Sequence, residues 1–377
     1  MTTIRLPLLE GLTDYTLNPQ GPLSIVPGPP PSSRVAYAAA HVVVDPFSPQ
    51  VLDMKATMAF RHHLWSLGFG VAEAMDTAQR GMGLDWGTAR ELIGVSASER
   101  AGDIACGANT DQLNPTQPAA LDDVVFAYEQ QCEAIEQSGG RVILMASRAL
   151  VRCAKGPDDY ARVYARLLRS LKQPVILHWL GEAFDPQLRG YWGSSNTAEA
   201  MQTCLAIIRD NASKVDGIKI SLLDKQQEIL MRRQLPSGVR MYTGDDFAYA
   251  ELIRGDQQGH SDALLGIFDG IAPAASLALR ALDSGDTAQY EQLLAPTVPL
   301  SRHIFQAPTW FYKTGLVFLA FLNGHQNHFQ MLGGQQSARS IVHLSQLFVL
   351  ADQARLLTQP DLAVHRMKLT LELAGVA

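Results

Sequence analysis

The sequence predicts an α/β protein built as a (β/α)8 TIM barrel, with an N-terminal arm and extra C-terminal helices, and three observations lead there. Eight short β-rich or apolar runs recur along the chain, starting at Val35, Gly70, Asp103, Val142, Val175, Gly217, Val239 and Ala263. Their starts lie 35, 33, 39, 33, 42, 22 and 24 residues apart, and each gap has room for the crossover helix that parallel neighbours require. The runs are near-continuously apolar, the pattern of strands buried on both faces. An open doubly wound sheet is the alternative. It lacks its usual support, because Val44-Asp45-Pro46-Phe47 stands where a glycine-rich dinucleotide loop would follow the first strand.

In chain order, residues 1–34 are atypical. Their proline and glycine cluster from Gly21 through Pro31, ending in Ser32-Ser33, predicts an arm or short hairpin laid across the domain. The barrel is expected over residues 35–286. Its strands fall at Val35 to Val44, Gly70 to Met75, Asp103 to Gly107, Val142 to Ala146, Val175 to Trp179, Gly217 to Ser221, Val239 to Thr243 and Ala263 to Phe268. Helical stretches such as Leu121 to Gln137 and Pro157 to Leu171 fill the gaps, the second with Asp158 and Asp159 where a helix dipole favours negative charge. Residues 287–377 read as further helices, including Thr314 to Asn323 and Ala338 to Leu357, a layer suited to self-association into a homo-oligomer.

Composition narrows the class. A chain of 377 residues, 47% hydrophobic and 18% charged, can bury a large core. Its net charge of −6, with no basic run and no basic-aromatic interleaving, argues against a nucleic-acid or anionic-membrane surface and for a small-molecule partner. Cys106, Cys132, Cys153 and Cys204 lie far apart without CxxC spacing, which suits free thiols in a reducing compartment. Met1 to Leu12 lacks a secretory pattern, and no uncharged stretch reaches membrane-spanning length, so a cytoplasmic location is expected. No sequence motif calls for a cofactor.

Lys219, in Val215-Asp216-Gly217-Ile218-Lys219-Ile220-Ser221, is a lysine inside a strand that otherwise reads as buried. An ammonium there is costly unless it is paired or gives up its proton. Either its stem packs while its head reaches water, or its amine serves as a nucleophile toward a carbonyl. That second role needs the neutral form, hence a pKa lowered by roughly two to three units from the ordinary 10.4.

The runs Pro174-Val175-Ile176-Leu177-His178-Trp179, Gly217-Ile218-Lys219, Tyr242-Thr243-Gly244-Asp245-Asp246 and Gly266 to Pro273 resemble the dihydrodipicolinate synthase and N-acetylneuraminate lyase group. Cys106-Gly107-Ala108-Asn109-Thr110 and Asp45-Pro46-Phe47 are similar to its third and first strand ends. The resemblance runs from about Val35 to Phe305. It implies a class I aldolase in which Lys219 forms the Schiff base. Where the group carries a proton-relaying strand-five tyrosine, this chain has His178, an imidazole suited to general acid-base work or a core histidine bonded to backbone.

A second departure follows strand two. The group's threonine-rich turn for a pyruvate carboxylate is replaced by Glu73-Ala74-Met75-Asp76-Thr77-Ala78-Gln79-Arg80. Asp76 would repel a carboxylate unless Arg80 or Arg148 compensates, and suits hydroxyl groups better. Asp76, Thr77, Asn109, Asp111 and Arg148, with Gln112 beside them, are therefore candidate substrate contacts, each with loop capping or pairing as the plain alternative. Asp245, also a candidate, and Asp246 match the group's pattern or cap the next helix. The loops after strands seven and eight carry Asp245, Asp246 and Asp269 with no nearby lysine, which speaks against a phosphate site.

These readings together describe a Schiff-base aldolase, lyase or dehydratase acting on a non-phosphorylated, sugar-derived keto or aldehyde compound. One rival is a metal-dependent sugar isomerase or epimerase using His178, Glu182, Asp216 or Asp245, and another is a sugar-binding barrel without catalysis. His325-Gln326-Asn327-His328 would bring two histidines to one side of a helix, but without the acid of a zinc-protease motif. No metal ligand is assigned. His62-His63 reads as a surface helix pair, and Lys313 as a residue of the barrel mouth or of an interface.

Overall fold

The structure is a computed structural model that describes residues 2–376, the side chains of Thr77 and Ala78 excepted. Its described residues form two compact units, one of residues 34–39 and 70–266, the other of residues 2–33, 40–69 and 267–376.

The first unit carries a closed barrel of eight strands: β1 (Ala36–Ala38), β2 (Gly70–Glu73), β3 (Ile104–Ala108), β4 (Arg141–Leu144), β5 (Val175–Leu180), β6 (Val215–Ser221), β7 (Arg240–Thr243) and β8 (Asp262–Leu265). All neighbours are parallel and follow chain order, with β8 closing on β1. Helices connect successive strands, as a (β/α)8 fold requires. Local signals start and stop them. Helix Leu121–Ser138 opens with Asp123 accepting the Ala120 N–H at 2.8 Å and ends at Gly139, whose φ of 85° a side chain would resist. Asn196 caps helix Thr197–Asp210 through the N–H groups of Ala198 and Glu199. The barrel interior is filled by Tyr37, Ala72, Met75, Ile143, Met145, Ile176, Tyr242 and Leu264, all buried. At the N-terminal ends of the strands Tyr242 donates to Asp216 at 2.6 Å, and Arg141 and Arg240 pair with the same carboxylate at 2.7 and 2.9 Å.

In the second unit, residues 3–16 form a hairpin, Thr3–Leu8 with Gly11–Thr16. Tyr15 Oη and the Asn18 N–H both donate to Asp352 at 2.7 Å, which fastens this arm to helix Ile341–Gln353. Helix Tyr312–Leu322 is buried along its whole length, so its apolarity is used within the chain. Among the described residues no helix is long and apolar enough to cross a membrane.

Several expectations are corrected in this unit. The first apolar run was expected to be strand as far as Val44, but the strand ends at Ala38, and His41 and Val43 take backbone partners outside the barrel ladder. His41 N–H donates to Asp269 Oδ2 at 3.0 Å, and Val43 N–H to Thr57 Oγ1 at 3.0 Å. His325 and His328 share no helix, because Gly324, at a φ of 81°, ends Tyr312–Leu322 before them. Of the pair His62-His63, His62 is exposed as expected and His63 is half-buried. Its ring lies 4.5 Å from that of His325, with Phe60 5.1 Å from His325 and 4.3 Å from His41. Lys313 is wholly buried, its Nζ 3.1 Å from Asp269 Oδ2, while Asp269 Oδ1 takes His41 Nδ1 at 2.8 Å. Burial alone would raise the Asp269 carboxyl; His41 and Lys313 together hold it well below the ordinary carboxylate range.

Candidate active site

Lys219 sits in β6 with His178 of β5 as its ladder partner on one side and Tyr242 of β7 on the other. Paired residues of parallel neighbours face the same way, and Tyr242 belongs to the barrel interior, so Lys219 and His178 project inward too. Both are buried, at 6% and 2% exposure. Burial, and then the charge of Lys219, push the His178 imidazole well below its ordinary value, so it is neutral at pH 7. Its Nε2 lies 3.2 Å from Ser221 Oγ, and its Nδ1 is buried with no hydrogen-bond partner among the described residues. A neutral imidazole carries one N–H donor and one acceptor nitrogen, so it can pass a proton between two groups, while burial makes it a weaker base than an exposed histidine.

Two residues that sequence reasoning did not single out shape this corner. Ser221 stands two residues beyond Lys219 and shares its face by the period of a strand, a signal that was present in the sequence. Gly244 donates its N–H to Ile220 O at 2.8 Å, and a Cβ there would stand 2.6 Å from Lys219 Cε and clash with Ser221 Oγ. The lysine stem occupies the room this glycine leaves.

The other candidates gather elsewhere in the unit. Arg80 has its five N–H donors engaged. Nε and Nη2 hold Asp111 at 2.8 and 2.6 Å, Nη1 reaches Ala74 O and Gly107 O at 2.9 Å, and Nη2 reaches Gln131 Oε1 at 2.9 Å. Arg80 is thus a structural clamp and has no donor left for a substrate carboxylate. The clamp also holds Ala74, whose φ of 48° is a strained value for a residue with a side chain. Asp76 is buried in the turn just after β2, its carbonyl accepting the N–H groups of Gln79 and Arg80. Thr77 is a candidate whose side chain lies outside the described residues. Asn109 turns its Oδ1 onto the Thr110 N–H at 2.7 Å. Arg148 Nε donates to Asp185 at 2.6 Å. Asn109, Asp111 and Arg148 line one cavity of about 190 Å3, whose described lining includes neither Lys219 nor His178. Asp245 Oδ1 accepts the N–H groups of Phe247 and Ala248, the turn-capping arrangement.

The ligands of the metal alternative do not converge. Asp216 is engaged at the N-terminal ends of the strands, Glu182 is exposed, and no group of three metal-capable side chains occurs among the described residues.

Fold and geometry define a class: a (β/α)8 barrel that presents a buried lysine from its sixth strand beside an imidazole from its fifth. The chain belongs to the family described as Protein of unknown function (DUF993), whose model matches residues 4–376. No curated protein matches it in sequence. Its structure is similar to that of dihydrodipicolinate synthase from Aquifex aeolicus, with a TM-score of 0.65 at 10% identity, over 86% of this chain and 99% of the other. It is also similar to a prophage protein of the dihydrodipicolinic acid synthase family from E. coli K12, solved in complex with pyruvate, at a TM-score of 0.63 and 14% identity over 86% and 99% of the two chains. The 4-hydroxy-tetrahydrodipicolinate synthase of Methylacidiphilum fumariolicum gives 0.63 at 14% identity, over 89% and 99%. At such identities the likeness establishes the fold, and in that fold the resemblance read from the sequence is met.

Proposed function

We propose that the protein is a Schiff-base-forming lyase of the class I aldolase type, acting on a non-phosphorylated, sugar-derived ketone or aldehyde by carbon-carbon cleavage, its reverse, or dehydration. The observation that carries this reading is Lys219, buried on the inner face of β6 beside neutral His178 and over Gly244.

In this reading the unprotonated Lys219 Nζ attacks the carbonyl carbon, and the proton it sheds passes to the former carbonyl oxygen. His178 and Ser221, 3.2 Å apart, form the relay for that transfer. The carbinolamine hydroxyl then leaves as water with a proton from the relay. The resulting iminium draws in the electron pair of the adjacent bond that breaks, giving an enamine, and hydrolysis returns the lysine. The loop after β7 supports a polyhydroxylated rather than phosphorylated substrate, since it contributes the buried carboxylates Asp245 and Asp246. With the Arg80 donors all spent, the arginine beside β2 gives no support to the carboxylate of a simple 2-oxo acid.

The test is reductive trapping. Incubation with a pool of sugar-derived carbonyl compounds and borohydride should add the substrate mass, less one oxygen, to the peptide bearing Lys219, and Lys219→Met should abolish the adduct while keeping the fold. Turnover of a substrate by Lys219→Met at the wild-type rate would reject the mechanism.

A further inference from the structure

Two concavities among the described residues of the barrel unit lie near the C-terminal ends of its strands, and their charges are opposite. The one beside β5 and β6 is about 280 Å3 and is lined by Glu182 and Asp224, with no cation among its described residues. The one beside β3 and β4 is lined by three guanidiniums, Arg80, Arg148 and Arg152, against two carboxylates, Asp111 and Asp185. Pairing decides what that second lining offers. The charge of Arg80 is met by Asp111 and its donors are consumed, as described above. Arg148 meets Asp185 through Nε alone, at 2.6 Å, and so keeps its two terminal nitrogens for another acceptor. Arg152 stands one turn further along helix Arg148–Cys153, on the same face, exposed, with no carboxylate on it among the described residues. Asn109 borders the same space, and its Oδ1 is committed to the Thr110 N–H.

We propose that this cavity is a binding site for a small oxyanion, a carboxylate or a phosphate, gripped between the terminal nitrogens of Arg148 and the guanidinium of Arg152. Planar guanidiniums present paired donors that match the two oxygens of such a group, and the lining carries one positive charge beyond its carboxylates. The space of about 190 Å3 suits a metabolite of a few heavy atoms. Leu113, Pro115 and Ala149 supply apolar wall, which favours an organic anion over a bare ion. The site stands on this lining alone and is independent of the role given to Lys219.

The experiment is calorimetric titration of the full chain with malonate and, separately, with inorganic phosphate, at constant ionic strength set with chloride. Saturable binding of either anion should be weakened about tenfold or more in Arg152→Gln and in Arg148→Gln, the loss expected when a charge-assisted pair is removed. It should be unchanged in Lys219→Met. Malonate binding alone would mark a carboxylate site and phosphate binding alone a phosphate site; either supports the assignment. Absence of saturable binding for both anions, or equal affinity in wild type and in Arg152→Gln with far-UV circular dichroism unchanged, would overturn it.

Discussion

Replacing Glu228 by glutamine should stabilise the protein at neutral pH and have little effect in mild acid. Glu228, on helix Lys225–Arg232, is buried and accepts hydrogen bonds from Thr243 Oγ1 at 2.9 Å and Ser261 Oγ at 2.7 Å. Burial lifts its carboxyl from 4.5 to about 8; the two hydroxyls and Arg232 oppose the rise, and the nearby Asp245 adds to it. In the unfolded chain the same group ionises near its ordinary value. Between pH 4.5 and 8, therefore, folding takes up one proton, and stability falls as pH rises by about 1.4 kcal/mol per unit. By pH 7 the accumulated cost is about 3 kcal/mol. Glutamine has nearly the same shape without the ionisation: its Oε1 accepts from one hydroxyl, and its amide N–H donates to the oxygen of the other, which rotates to accept. Urea denaturation midpoints of wild type and Glu228→Gln at pH 5 and pH 7.5 test this, the expected gain being about 2–3 kcal/mol at the higher pH and below about 1 kcal/mol at the lower. Equal effects at both values, or a loss at pH 7.5, would refute the argument. The outcome bears on the candidate site, because Thr243 also accepts the Asp245 N–H at 3.2 Å and so ties Glu228 to the loop that carries Gly244.

Two further outcomes follow from the buried charges of the second unit. Asp269→Asn removes the carboxylate that His41 and Lys313 share and should cost about 3–5 kcal/mol in denaturation midpoints. Combining it with Lys313→Met should recover part of that loss, and a double variant as unstable as the single would show that the buried ammonium is not its source. The imidazoles supply a pH dependence of the opposite sign to Glu228. Burial, reinforced by His63 and His41, pushes His325 down to about 3, and burial lowers His63 as well. Groups depressed in the folded state contribute stability that is complete above the unfolded value of 6.5 and is lost as pH falls below it. His325→Leu should therefore flatten the acid limb of the stability profile between pH 6.5 and 5, by about 1–2 kcal/mol at pH 5; an unchanged slope would remove His325 from the account.

The barrel was legible because its signals are local and repeated. Runs such as Val175 to Trp179 and Gly217 to Ser221 are apolar over strand length, and their spacing leaves room for one helix each time. Lys219 and His178 could be singled out for the same reason, as polar residues at positions where the period of a strand demands burial. Ser221 was readable by that period and was passed over. Where local pattern and long-range pairing part company, the sequence misled. Ala40 to Val43 look like strand because they are buried, yet side chains outside the ladder, Asp269 and Thr57, take up the N–H groups of His41 and Val43.

What the chain determined by itself is the ring of strands, the place of Lys219 and His178 within two of them, and the excess of acid over base. The strands and their polar residues follow from apolar runs and their spacing, which neighbouring residues encode. Only the tertiary structure decided which charges remain available. Arg80 and Arg148 are the same residue type at comparable places, but Arg80 meets five acceptors in the fold and Arg148 meets one carboxylate oxygen. Lys219 and Lys313 are both buried lysines with different surroundings. One lies over a glycine beside an imidazole and the other against Asp269, since the partner of a buried charge comes from residues far away in sequence that folding alone brings within hydrogen-bond reach.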